Sequence, residues 1–286
     1  MSRTWRHLRD AARDRLEEAG VADAGQELRW LIERASGLTA AEQSAALDAI
    51  ADDRHAESLV AMVDRREAGE PLQYVLGQWG FRTLDLLVDR RVLIPRPETE
   101  VVAGLAIEAL PDGPALAVDL GTGSGAIALS LAAERWPDVE VWATDASADA
   151  LAVARANLAG LGRRAANVRL AEGDWFAALP PELRGSFDVV VSNPPYVGSD
   201  DPLPPEVSEW EPAAALLAGP DGLDDVRRIV AEAPAWLSPA GTLVVEIGDT
   251  QGAAVVALAR AAGFTDTGVH QDLAGRDRAV VATARG

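Results

Sequence analysis

From residue 114 onward, short apolar runs rich in β-branched residues alternate with helical stretches. This alternation constrains the fold more than any other feature of the chain. The runs are Ala115–Leu120, Glu140–Thr144, Val168–Ala171, Phe187–Ser192 and Gly241–Ile247, with two more around Phe264–His270 and Arg278–Thr283. Strands separated by helices predict an α/β architecture built on a doubly wound, mostly parallel sheet. Ligands in such folds bind beyond the C-terminal ends of the strands. The chain places its most unusual residues there.

Upstream the pattern is different. In residues 1–72 the apolar positions follow helical spacing: Leu28, Leu31, Ile32 and Ala35 fall at i, i+3, i+4 and i+7. Gly37 follows as a C-cap, and Thr39 with Glu42 forms a capping box for the next helix. Leu59, Val60, Met62 and Val63 stripe another helix, ended by Gly69 and Pro71. These residues predict a small all-α domain of about four helices. Residues 73–96, with Gly77, Gly80 and the alternating Leu84, Leu86 and Val88, predict an extended, hairpin-like connector. Pro97 is expected at the first position of a new helix, with Glu98 and Glu100 in its first turn. The catalytic domain is expected over 97–286.

Composition narrows the function classes. Cysteine is absent from the 286 residues, which excludes disulfides, a thiol nucleophile and Cys-ligated zinc. Three scattered histidines give no basis for a metal site, and no metal is expected. No apolar run approaches the ~20 residues that span a bilayer, and the N-terminal segment lacks the apolar core of a signal peptide. A cytoplasmic location is expected. The net charge of −19 disfavours a protein that tracks nucleic-acid phosphates, and direct nucleic-acid binding is not expected.

Four motifs stand at strand ends. After Asp119, Gly121, Gly123 and Gly125 lead into a helix, allowing a tight turn and close approach of backbone to a ligand. Gly-x-Gly-x-x-Ala at 121–126 is also compatible with a dinucleotide site. Asp145 ends the next strand, placed to accept ribose hydroxyls of an adenosine-containing cofactor; Ser147 is available to cap the helix that follows. At the third strand end, Asp174 and Trp175 are placed to flank an adenine, as an acceptor and an apolar wall. At the fourth stands Asn193-Pro194-Pro195-Tyr196. Proline donates no hydrogen bond and stiffens the residue before it, so the backbone carbonyls and the Asn193 side chain are left as acceptors. Two acceptors converging on one NH₂ group would hold a planar amide or amine with its nitrogen exposed to an electrophile.

These motifs together resemble the class I S-adenosylmethionine-dependent methyltransferases, and "NPPY" resembles their branch acting on planar nitrogen. "PLQYVLGQWGF" (71–81), "LIPRPETE" (93–100), "DLGTGSGAIALSLA", "SNPPYV" and "DLAGRDRAV" (272–280) narrow the resemblance to the peptide-chain release-factor glutamine methyltransferases, the PrmC/HemK family. The resemblance covers nearly the whole chain. It implies a Rossmann-like seven-stranded sheet, S-adenosylmethionine as cofactor with S-adenosylhomocysteine as product, and a helical domain that helps to hold the release factor. It also implies that Gly121, Thr122, Gly123, Ser124, Gly125 and Asp145 hold the cofactor and that Trp175 touches it. Asn193 would meet both cofactor and substrate, and Asn193, Pro194, Pro195 and Tyr196 would bind the glutamine amide. Asn193 and the Pro194 carbonyl are the expected catalytic groups. A monomer is expected. Alternatives are a glutamine methyltransferase of a ribosomal protein, a nucleic-acid exocyclic-amine methyltransferase, an NAD-dependent dehydrogenase, or an inactive cofactor-binding protein. The Pro-rich stretch 200–223 is either a loop closing on substrate or a solvated connector.

Overall fold

Ala115–Leu120 and Phe187–Ser192 carry apolar side chains on both faces, and both are buried in the middle of a sheet. The computed structural model describes residues 3–286. The described residues divide into two compact units: residues up to Gln78 together with Pro204–Trp210, and Trp79–Leu203 together with Glu211–Gly286.

The first unit is helical. It comprises α1 (Trp5–Glu18), α2 (Ala24–Ser36), α3 (Ala40–Ala45), α4 (Asp53–Glu67) and α5 (Leu72–Leu76). Leu16, Leu28, Leu31 and Leu59 fill its core. Gly37 closes α2 in the left-handed conformation (φ 74°), and Thr39 with Glu42 completes the predicted capping box. The stretch expected to be extended from residue 73 begins instead with the short α5, whose Tyr74 and Val75 are buried. A two-stranded sheet then follows, β1 (Gln78–Phe81) with β2 (Leu84–Leu87).

The second unit continues with α6 (Thr99–Ala109), β3 (Ala115–Leu120), α7 (Ala126–Glu134), β4 (Val139–Asp145), α8 (Ala148–Gly160), β5 (Val168–Glu172) and β6 (Phe187–Ser192). After α9 (Pro205–Ser208), which belongs to the first unit, come α10 (Asp224–Glu232), β7 (Leu237–Glu246), α11 (Gly252–Ala261), β8 (Asp266–Gln271) and β9 (Asp277–Thr283). The seven-stranded sheet has the order β5-β4-β3-β6-β7-β9-β8. Its first five strands are parallel and β9 is antiparallel to both neighbours. Chain order reverses between β3 and β6, a switch point at which the two strand ends diverge and leave a crevice. β7 starts earlier than its apolar run, at Leu237, because Leu237 already pairs with Phe187 of β6, and the Ser-Pro-Ala-Gly stretch that follows falls in the bulge before pairing resumes at Thr242. No helix of the described residues is long and apolar enough to cross a membrane.

Candidate active site

The crevice at the ends of β3, β4, β5 and β6 holds a cavity of about 420 Å³, within the usual range for a small-molecule site. Its floor is the glycine loop. Gly121, Gly123 and Gly125 all have positive φ (72°, 55° and 88°). At Gly121 the requirement is twofold, because a Cβ there would also meet the Trp175 ring at 3.0 Å. The loop is tied to the next strand: the Gly121 and Thr122 amides donate to the Thr144 carbonyl at 2.9 and 2.8 Å. The Gly123 amide donates to Asp145 Oδ2 at 2.9 Å.

Asp119, the penultimate residue of β3, is buried below the loop and lines the cavity. Its Oδ2 accepts from the Thr122 hydroxyl at 2.6 Å and the Ala128 amide at 3.1 Å. Its Oδ1 is buried with no hydrogen-bond partner. Burial pushes the carboxyl up to about 7, against the opposing pull of those two bonds. The sequence reading passed over this residue as a strand end, although Asp in an otherwise apolar buried run was a signal.

Asp145 lies at the end of β4 and lines the cavity. Besides the Gly123 amide it accepts from the Ser147 amide at 2.8 Å, and burial raises its pKa. Ser147, as its position suggested, caps α8 by accepting from the Ala150 amide. Trp175 also lines the cavity, with its backbone in the left-handed region (φ 48°), a conformation that costs a bulky residue of the order of 1–3 kcal/mol. Its indole lies within hydrogen-bonding reach of Asp225 on α10. Asp174 reaches the cavity, and its carboxylate is ion-paired with Arg228 of the same helix at 2.6 Å. α10 thus holds both members of the expected adenine clamp, through residues with no sequence signature of their own.

At the fourth strand end, the Ser192 hydroxyl donates to the Leu120 carbonyl at 2.7 Å and locks β6 to β3. Asn193 and Pro195 line the cavity, whereas Pro194 and Tyr196 stand outside its lining. Asn193 Nδ2 donates to Thr99 Oγ1 at 3.2 Å, which leaves Oδ1 as the free end of the amide. Among the described residues nothing donates to the Pro194 carbonyl. The far end of the tetrapeptide is clamped: Gln251 Nε2 donates to the Tyr196 carbonyl at 3.0 Å and to the Gly222 carbonyl at 3.4 Å. The Tyr196 hydroxyl lies 3.5 Å from Glu246 Oε1, and burial, with that carboxyl nearby, raises the phenol to about 12.

The remaining walls come from two stretches outside the strand ends. Leu93, Pro95 and Thr99 belong to the "LIPRPETE" block, with Val92 just before it, and Pro212, Ala214 and Ala215 belong to the Pro-rich stretch. Glu211 joins them. Its Oε2 accepts from the Ile94 amide at 3.1 Å and its Oε1 pairs with Arg96 at 2.5 Å. Pro97 stands outside α6, which starts at Thr99. Tight i→i+3 turns occupy the preceding residues, with the Thr99 and Glu100 amides donating to the Arg96 and Pro97 carbonyls.

The chain matches two family models: "PrmC N-terminal domain" over residues 7–77 and "Methyltransferase small domain" over 101–202. It is 42% identical to the release factor glutamine methyltransferase of Caulobacter vibrioides, over 95% of this chain and 93% of that one. The chain belongs to the release factor glutamine methyltransferase family. A second member, from Cereibacter sphaeroides, is 43% identical over 95% of each chain. A solved methyltransferase of Pyrococcus furiosus shares the fold, with a TM-score of 0.52 and 20% identity over 71% of this chain and 90% of that one. The chain is therefore a methyltransferase of the class I fold, with a family-specific helical region before it.

Proposed function

We propose that the protein transfers a methyl group from S-adenosylmethionine to the side-chain amide nitrogen of a glutamine, that of the Gly-Gly-Gln motif in a peptide-chain release factor. The observation that carries this reading is the placement of Asn193 and Pro195 against the glycine-loop cavity, with Asn193 Oδ1 and the neighbouring Pro194 carbonyl both free to accept. Family membership supports the choice of substrate.

The residues present fit the cofactor. Asp119 Oδ1 is a buried acceptor without a partner, suited to an ammonium group. Asp145 keeps lone pairs for ribose hydroxyls, and the Trp175 ring is an apolar wall for a purine. When bound, S-adenosylmethionine supplies a sulfonium methyl as electrophile. The protein's part is to overcome the poor nucleophilicity of an amide nitrogen, whose lone pair is delocalised. Asn193 Oδ1 and the Pro194 carbonyl each accept one N–H of the glutamine amide, fixing the nitrogen and stabilising positive charge as it develops there. Positioning of this kind supplies several kcal/mol, up to ~7–11 in the best-aligned cases. The N–H proton leaves to solvent after transfer. Tyr196 stays a neutral phenol at physiological pH, since its pKa is raised to about 12.

The test is transfer of label from radiolabelled S-adenosylmethionine to a purified release factor, beside a variant of that factor whose motif glutamine is replaced. Label on the unaltered factor alone supports both chemistry and target. Cofactor binding without transfer would redirect the search to ribosomal proteins or nucleic acids. The protein is expected to act as a monomer.

A further inference from the structure

Three polar side chains meet at the motif, each from a different element: the half-buried Asn193 just past β6, and the buried Thr99 at the start of α6 and Glu246 at the end of β7. Glu246 is 0% exposed and its Oε2 has no hydrogen-bond partner. A carboxyl buried in this way is costly unless something needs it. Thr99 is likewise almost fully buried. Its Oγ1 accepts from Asn193 Nδ2 at 3.2 Å, and its hydroxyl lies within hydrogen-bonding reach of Glu246.

A threonine hydroxyl has a single proton to give. Having accepted from Asn193, Thr99 directs that proton toward Glu246. An ionised carboxylate can only accept. The chain Asn193 N–H → Thr99 O–H → Glu246 therefore runs one way. We propose that Thr99 and Glu246 are positioning residues that set which end of the Asn193 amide faces the substrate. With the chain in this direction, Oδ1 is presented to the glutamine N–H. Reversed, the amide would present its own N–H groups to a donor, and the acceptor would be lost. The proposal rests on the reading of Asn193 as an amide acceptor.

The groups facing Glu246 fit this role. The Tyr196 hydroxyl lies 3.5 Å from Oε1, so the same carboxyl meets one end of the tetrapeptide directly and the other through Thr99. Arg278 of β9 favours the ionised form, and Glu98 at the start of α6 opposes it. Burial is the largest influence and holds the carboxyl near neutral pH. A protonated Glu246 could donate to Thr99 and permit the reversed chain.

Steady-state methylation of the release factor by Glu246→Gln, Thr99→Val and Thr99→Ser tests the proposal. Glu246→Gln and Thr99→Val are expected to lower kcat about 10- to 100-fold, the worth of one well-placed hydrogen bond. KM for cofactor and for factor should stay within about threefold, since Glu246 lies outside the cavity lining and Thr99→Val keeps the shape of the wall. Thr99→Ser, which keeps the hydroxyl, should recover turnover to within about threefold. The rise of wild-type kcat with pH through the Glu246 ionisation should vanish in Glu246→Gln. Should Glu246→Gln fail to fold, the near-isosteric Thr99→Val, read against Thr99→Ser, decides the matter. Wild-type kcat in Thr99→Val overturns the proposal. A wild-type enzyme that methylates nothing counts against the substrate reading alone. The amide orientation is then read in the free protein, from solvent exchange of the ¹⁵N-labelled Asn193 side-chain protons. Protection in wild type that is lost in Thr99→Val supports the chain, and equal exchange in both overturns it.

Discussion

Replacing Asp119 by Asn should change how stability depends on pH. In the folded protein burial pushes this carboxyl from its ordinary 3.8 up to about 7. An unfolded chain ionises it near pH 4. Between those limits the folded state holds a proton that the unfolded state has released, so stability falls as pH rises. The contribution is complete below about pH 4 and lost by about pH 7. At ~1.4 kcal/mol per pH unit, the whole window corresponds to about 4 kcal/mol, and the part between pH 5 and 7 to about 3 kcal/mol. Glu246, raised from 4.5 to about 7 by burial, acts in the same direction and the same window. Urea unfolding of the cofactor-free protein at pH 5 and pH 8 should therefore show a marked loss of stability in wild type, and about half that loss in Asp119→Asn. Cofactor should reverse part of the difference, because an ammonium beside Oδ1 favours the ionised carboxylate. Affinity should rise between pH 6 and 8 in wild type and stay flat in Asp119→Asn. Equal pH slopes in the two proteins would refute the reasoning.

Other outcomes follow from the same geometry. Asn193→Ala should reduce kcat by about 10²–10³, the range for loss of one preorganised electrostatic contact, with cofactor affinity by calorimetry little changed. Gly121→Ala and Gly123→Ala share the left-handed backbone cost of ~1–2 kcal/mol. Only the former meets Trp175, at 3.0 Å, while the latter meets nothing within 4 Å, so denaturant melts should rank Gly121→Ala as the less stable. In Gly222→Ala a Cβ would fall 2.2 Å from the Tyr196 carbonyl. The backbone there must move, and a loss of stability of more than ~2 kcal/mol together with weakened methylation is expected in the same preparation. Asp225→Ala removes the partner of the Trp175 indole, and cofactor affinity should fall severalfold while the catalytic unit stays folded by circular dichroism.

The sheet was legible from sequence because its central strands are buried on both faces and read as unbroken apolar runs. Their ends were legible because glycine, aspartate and proline interrupt those runs abruptly. Local signals also carried the capping box at Thr39 and the cap at Ser147, where both partners lie within a few residues. What stayed hidden are contacts made by sheet order. Arg228 reaches Asp174 across 54 positions, Thr99 reaches Asn193 across 94, and Gln251 reaches Tyr196 across 55. Arg228 and Gln251 have no unusual neighbourhood in the chain, and nothing in the block around Thr99 points to Asn193. The left-handed backbone of Trp175 was hidden for another reason: tryptophan has no preference for that region, so only its surroundings impose it.

The stretch Pro204–Trp210 is counted with the helical unit although it lies more than a hundred residues downstream of it. Within that unit its Glu206 pairs at 2.8 Å with Arg66, which also binds Glu27. The two units are therefore not separable by one cut. A fragment starting at Trp79 would carry Pro204–Trp210 as an orphaned graft, while a fragment ending at Gln78 would lose the carboxylate partner that Glu206 gives Arg66. Exchange of the helical unit between family members, by recombination or by design, therefore requires two crossovers rather than one. The short second insert has to travel with the first.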